Sequence, residues 1–289
     1  MSVAGLWGAG LWGAAAIVSC GAGDAVVVGS KNFTEQNLLS EIVAQELEAR
    51  GVEVERRFHL GGTFVCHRAI VGGEIDLYVE YSGTALTAIL KEPPMQDAGA
   101  VNRTVAAAYR ERWSLAWGPP LGFDNTFALV VRKGDADSLG LATISDLTAV
   151  AAGLTAAFGP EFMAREDGYP GLREKYGIDF GAVRQMDLGL MYRALAEGAV
   201  DVAVANSTDG QIAALDLVVL ADDRRYFPPY EAAPVVRLDA LDRWPAVGEA
   251  LRALAGSLTE EEMRKLNREI DVEGGDVAAV ARAWREKEG

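Results

Sequence analysis

The chain has 289 residues, half of them apolar and 24% charged, with a formal net charge of −15. That length suffices for two α/β domains with ordinary cores. The charge argues against a nucleic-acid partner, since no run of Lys or Arg is present to neutralise phosphates, and the acidic surface reads first as a device for solubility.

In chain order, the first segment stands apart. Met1 to Ser19 carries no charged side chain. It is too short to span a bilayer comfortably, and it reads as the apolar part of an export signal. Ile17-Val18-Ser19-Cys20-Gly21 resembles the lipobox of bacterial lipoproteins, which makes Cys20 the expected site of lipidation. Ile17 replaces the usual Leu, and because no Lys or Arg precedes the apolar run, a start codon further upstream stays open.

From Ala25 strands and helices alternate. A strand is expected over 25–29, then a helix opened by Thr34-Glu35-Gln36 and closed by Gly51, then a strand over 52–58. The next helix covers 63–71. The run from Gly73, Gly-Glu-Ile-Asp-Leu-Tyr-Val-Glu-Tyr-Ser-Gly-Thr, is a buried strand ending in a polar turn at Tyr81. Helices follow over 84–91 and 101–113, a crossing strand over 125–131, a helix over 145–152, a strand over 154–158 and a helix over 169–176. A helix over 188–197 then precedes Gly-Ala-Val-Asp-Val-Ala-Val-Ala-Asn-Ser-Thr-Asp-Gly, a second strand of the same kind that ends at Asn206. After each of these strands a helix start with Ser, Thr or Asp as cap is expected. A last strand of that half covers 217–220. Phe227-Pro228-Pro229-Tyr230 forms a rigid turn before the chain returns over 233–237, and three amphipathic helices finish it, over 240–255, 259–268 and 275–285.

Ligands of open α/β sheets sit beyond the carboxyl ends of strands. Two copies of one helix–strand–turn device therefore predict two lobes facing a shared cleft, with Tyr81 and Asn206 at matched positions on opposite walls and two crossings as a hinge.

The equipment of common enzymes is missing. There is no zinc-ligand spacing, no Gly-x-Ser-x-Gly elbow and no phosphate-binding Gly-x-x-x-x-Gly-Lys loop, so neither hydrolysis nor nucleotide use is expected and no cofactor or metal is implied. Cys66 and His67 are adjacent on a helix and point apart, which makes Cys66 a small core residue rather than a nucleophile. Asp76 and Glu80 share a strand face, but Asp76 follows a turn and is read as structural.

Ser30-Lys31-Asn32-Phe33-Thr34-Glu35-Gln36, Glu80-Tyr81-Ser82-Gly83-Thr84, Asp124-Asn125-Thr126-Phe127, Ser207-Thr208-Asp209-Gly210, the stretch Asp222 to Tyr230 and the stretch Asn267 to Gly274 together resemble the substrate-binding proteins of osmoprotectant ABC importers. The likeness implies a two-lobed α/β fold of the periplasmic-binding-protein type (type II). It divides the chain into a leader (1–24), a first lobe (25–127 with 227–289) and a second lobe (128–226). It also implies a monomer outside the cytoplasmic membrane, in the periplasm or anchored through Cys20, that delivers a small zwitterion to a separate permease and ATPase and is not an enzyme.

By the family's motif positions, a quaternary ammonium group would sit in an aromatic box at Tyr81, Phe127, Asn206 and Tyr230, because a permanent cation without donors is best met by π-faces. A ligand carboxylate would meet Lys31, Thr84 and Arg165. Phe127 lacks the hydroxyl often found at its position, and Asn206 removes a ring where the family usually has Tyr. Trp117, Phe33 and Tyr169 are the candidates to fill that wall. Glycine betaine is the expected type of ligand, and Asn206 keeps open a different trimethylated zwitterion such as ergothioneine. A sensor module without transport is the other alternative.

Overall fold

A computed structural model describes residues 25–288, so the apolar leader and Cys20 lie outside the described residues. The strands sort into two sheets of five. β1 (Val26–Lys31), β2 (Val54–Gly61), β3 (Leu77–Tyr81), β4 (Leu115–Trp117) and β10 (Ala232–Arg237) form the first, in the order β2-β1-β3-β10-β4. β5 (Phe127–Arg132), β6 (Thr155–Phe158), β7 (Ala182–Gln185), β8 (Val202–Asn206) and β9 (Leu217–Leu220) form the second, in the order β7-β6-β8-β5-β9.

The two sheets are built alike. In each, three parallel strands are followed by an antiparallel one that begins where the third parallel strand ends: Ala232 pairs with Tyr81 in the first sheet, and Phe127 with Asn206 in the second. Helices cover both faces of such a sheet, so its central strands are near-continuous apolar runs. Every residue of β3 is buried, as are Val202 to Ala205 of β8. The helix Thr34–Glu48 is almost wholly buried as well, packed between β1 and the C-terminal helices Pro245–Ala253, Glu260–Asp271 and Val277–Glu288.

The lobes are joined by two segments bonded to each other. Asp124 bridges to Glu231, the Tyr230 amide donates to the Asp124 carboxylate at 2.8 Å, and the Asn125 amide donates to the Tyr230 carbonyl at 3.1 Å. The strand expected to make the crossing lies wholly in the second sheet, and the crossing itself is the irregular stretch before it.

Several local expectations change. The single helix over 240–255 is two, Leu238–Arg243 and Pro245–Ala253, because Pro245 cannot continue a helix but starts one well. The segment 145–152 forms two short 3₁₀ turns, Ile144–Ala149 and Ala151–Gly153. The segment 84–91 is a turn of α-helix, Ser82–Thr84, running into a π-helical turn, Ala85–Ile89. The expected side-chain caps also do not form. Phe33, Tyr81 and Asp209 hold the N-cap positions without a capping bond, and the Thr34 hydroxyl donates instead to Asp271. The short outer strands β4 and β7 carry too little apolar periodicity to be seen in the sequence.

Candidate functional site

Between the lobes lies a cleft of about 660 Å³ whose walls include Tyr81, Phe127, Asn206, Tyr230, Lys31, Thr84 and Arg165. The strand ends explain the convergence. Lys31 and Tyr81 end β1 and β3, Thr84 lies in the turn after β3, and Tyr230 precedes β10 beside them. Across the cleft, Phe127 opens β5 and Asn206 ends β8 as its register partner, while Arg165 ends the helix Pro160–Ala164. The lobes face each other through corresponding strand ends of two similar sheets.

The rings pack in two groups. Phe127 packs edge-to-face on Tyr230 (5.7 Å between centroids) and on Phe162 (5.0 Å), and Phe33 stacks over Tyr81 at 6.4 Å. Phe33 is the one member of the trio Trp117, Phe33 and Tyr169 that lines the cleft. Trp117 donates to Asn102 and packs on Tyr109, and Tyr169 packs on Phe158 and Phe180. Close approach of the chain is needed at Gly83, where a Cβ would stand 2.7 Å from the Pro229 carbonyl and 2.8 Å from the Tyr230 ring.

Both basic residues are buried and each is matched by a carboxylate. Lys31, 3% exposed, pairs with the fully buried Glu80 and lies 5.1 Å from the Tyr81 centroid. Arg165, also 3% exposed, forks onto Asp167, donates to the Thr84 hydroxyl at 3.2 Å and lies 5.1 Å from the Phe127 centroid. Asp167 further accepts from the hydroxyls of Thr87 (2.6 Å) and Tyr230 (2.7 Å). Burial favours its neutral acid, but Arg165 and these donors outweigh burial and hold its carboxyl below the usual range. Asp76 and Glu80 do not act together: Asp76 accepts from the Val27 amide at 2.8 Å and serves the strand, whereas Glu80 serves Lys31. Cys66 is buried, and burial pushes its thiol up to about 12, which leaves it inert.

A further carboxylate, which lines the cleft, went unassigned in the sequence. Glu35 accepts from the Tyr81 hydroxyl (2.6 Å), the Asn125 amide (2.7 Å), the Asn267 amide (2.9 Å) and the Thr208 hydroxyl. Thr208 belongs to the second lobe, so this one side chain gathers donors from both. Burial raises its pKa, and the four neutral donors offset only part of that. Glu35 and Asn125 sit inside motifs that already pointed here. Phe162, Glu161, Asp167 and Tyr192 carried no motif, and nothing in their local sequence separates them from ordinary helix and loop residues.

Residues 24–287 match the family model described as the substrate binding domain of an ABC-type glycine betaine transport system. The chain belongs to that family. It is 34% identical over 267 residues to the carnitine transport binding protein OpuCC of Listeria monocytogenes, covering 91% of this chain and 87% of that one. It is 33% identical over 265 residues to the ergothioneine transport permease/ergothioneine binding protein EgtU of Helicobacter pylori, covering 91% of this chain and 48% of that longer one. Among solved structures, that of a glycine betaine/carnitine/choline ABC transporter protein superposes with a TM-score of 0.75 at 34% identity, over 91% of this chain and 98% of the other. The fold is therefore the two-lobed α/β architecture of the family's receptors. Membership makes the chain a substrate-binding protein of a transporter and not an enzyme. Among the described residues no group of His, Cys, Asp and Glu could hold a metal ion, and no helix is long and apolar enough to cross a membrane.

Proposed function

We propose that this chain is the extracytoplasmic receptor of an ABC importer and that its cleft takes a quaternary-ammonium zwitterion of the glycine betaine type. The observation that carries this reading is the meeting of Tyr81, Phe127 and Tyr230 with two buried cations in one cleft between the lobes. Rings attract a trimethylammonium group through their negative faces, each desolvated contact contributing about 1–2 kcal/mol. Lys31, Arg165 and Thr84 receive the ligand carboxylate. Glu80 and Asp167 already compensate both cations, so the gain there comes from oriented N–H and O–H donors rather than from net positive charge.

In this reading residues 25–127 and 227–289 make one lobe and 128–226 the other. The closed receptor is recognised as a monomer by a membrane permease driven by a separate ATPase, and Cys20 anchors the chain by lipid. Asn206, standing among the rings, supports a second ligand with a polar heteroaromatic part. The relative named for ergothioneine supports that compound as the alternative. A sensor without transport would use the same cleft.

Titration calorimetry with glycine betaine, carnitine, choline and ergothioneine tests the reading. One of them is expected to bind with one-to-one stoichiometry, and absence of heat from all four removes it.

A further inference from the structure

The helix Thr63–Val71 forms one lip of the cleft and starts at Gly62, which has no side chain to cap it. The first backbone N–H groups of a helix have no partner within it, and its N-terminus carries partial positive charge. Here the partner comes from the other lobe. The carboxylate of Glu161, in the first turn of Pro160–Ala164, accepts from the Thr63 amide with one oxygen and from the Thr63 hydroxyl, at 3.1 Å, with the other. Arg165 Nη1 stands 3.8 Å from the same carboxylate. Gly62 shapes the seat: a Cβ there would lie 2.0 Å from Glu161 Oε1. Its backbone, with φ −79° and ψ −172°, is one any residue adopts, so the glycine answers to the carboxylate and not to the turn.

We infer that Glu161 is a positioning residue for ligand capture, a carboxylate that caps the Thr63 helix only when the lobes are closed and so holds the cleft shut over its contents. The proposal rests on the reading of the cleft as the ligand site. Separating the lobes hands the Thr63 donors and the Glu161 carboxylate back to water, so the contact adds stability to the closed state alone. By linkage, a ligand that needs the closed state binds more tightly and leaves more slowly. Glu161 meets the carboxylate clamp only at Arg165 Nη1, 3.8 Å away, while Asp167 keeps the Arg165 fork, so its effect on binding belongs chiefly in the dissociation rate.

The test uses Glu161→Ala, Glu161→Gln, Gly62→Ala and the double variant Gly62→Ala/Glu161→Ala in the full chain, titrated with glycine betaine, carnitine, choline and ergothioneine. Glu161→Ala is expected to weaken the ligand that binds by about tenfold, through faster release at unchanged association rate. Glu161→Gln, which keeps one acceptor, falls between it and the parent. Gly62→Ala reproduces the loss by displacing the carboxylate, and the double variant is no weaker than Glu161→Ala alone, since both remove one contact. Thermal unfolding serves as the control for folding and is expected to stay close to the parent's. An affinity for Glu161→Ala equal to the parent's overturns the proposal, as does a Gly62→Ala loss that adds in full on the Glu161→Ala background. If the parent binds none of the four compounds, the ligand assignment fails by itself. The latch is then read from amide hydrogen exchange at Thr63, which Glu161→Ala is expected to accelerate. Unchanged exchange would overturn the latch independently.

Discussion

The hydroxyl of Tyr230 donates to the carboxylate of Asp167 at 2.7 Å, which ties a ring of the candidate box to the carboxylate that compensates Arg165. Tyr230, Asp167, Arg165 and Thr84 are therefore one hydrogen-bonded unit, and Tyr230 can be dissected within it. Tyr230→Phe keeps the π-face and leaves Asp167 bonded to Arg165 and Thr87, so a stability loss of about 1 kcal/mol is expected in denaturant unfolding with little change in ligand affinity. Tyr230→Ala removes a side chain that is 2% exposed and is expected to cost about 3–5 kcal/mol of stability besides abolishing binding.

Arg165→Lys separates charge from geometry. Lys retains the positive charge but cannot present the Nε and Nη2 donors to Asp167 and Thr84 at once. Because both partners are buried, the unmet acceptor capacity of Asp167 is expected to cost about 2–4 kcal/mol in unfolding and at least about tenfold in ligand affinity. A Lys variant as stable and as tight as the parent would reduce Arg165 to a point charge.

Gly83→Ala tests the close packing of the turn after β3 on the Pro229–Tyr230 segment. A methyl group 2.7 Å from the Pro229 carbonyl and 2.8 Å from the ring must push one of them aside. The expected results are a stability loss of about 1–3 kcal/mol and weaker binding through displacement of the Tyr230 ring, read by calorimetry and unfolding.

The architecture was legible because its repeated unit is written twice in apolar runs. Leu77 to Tyr81 and Val202 to Asn206 each end a buried parallel strand in a polar turn, and strand ends are where such sheets gather a site. The seven residues predicted for the site line one cleft for the same reason: all but Arg165 stand at or beside strand ends. These helix caps were not legible, since Thr34 and Asp209 are polar residues in cap-like positions that are recruited by tertiary partners, Asp271 and the Tyr192 hydroxyl. Nor were Asp167, Glu161 and Tyr192. Each meets partners more than a dozen residues away, those of Asp167 and Glu161 in the other lobe, and such distant pairing leaves no periodicity in the chain.

Asp209 sets a pH dependence. Burial raises its carboxyl from an ordinary 3.8 to about 7, against bonds from the Tyr192 hydroxyl and the Asn206 amide that favour the charged form. Between those two values the folded state holds the proton more tightly than the unfolded chain does. Its contribution to stability is therefore intact below about pH 4 and is lost as pH rises toward 7. Asp209→Asn keeps an oxygen acceptor for both donors and removes the titration. The difference in unfolding free energy, variant minus parent, is expected to rise in the variant's favour across that window by a few kcal/mol at most. A difference that stays flat with pH would show that Asp209 does not titrate there.

Asn206→Tyr restores a ring where the wall of the cleft has an amide. Asn206 is only partly buried and pairs with Phe127 across β5 and β8, so an added ring would stand beside an existing one at the cleft surface. If the ligand is a small trimethylammonium zwitterion, the added face contributes about 1–2 kcal/mol, and affinity for glycine betaine is expected to rise about tenfold. If the ligand carries a polar ring that hydrogen-bonds the Asn206 amide, the same substitution removes that bond and fills its space. Ergothioneine binding then falls while glycine betaine binding rises. Calorimetry of both compounds against parent and variant separates these outcomes, and a variant that changes neither affinity would place position 206 outside the ligand's reach.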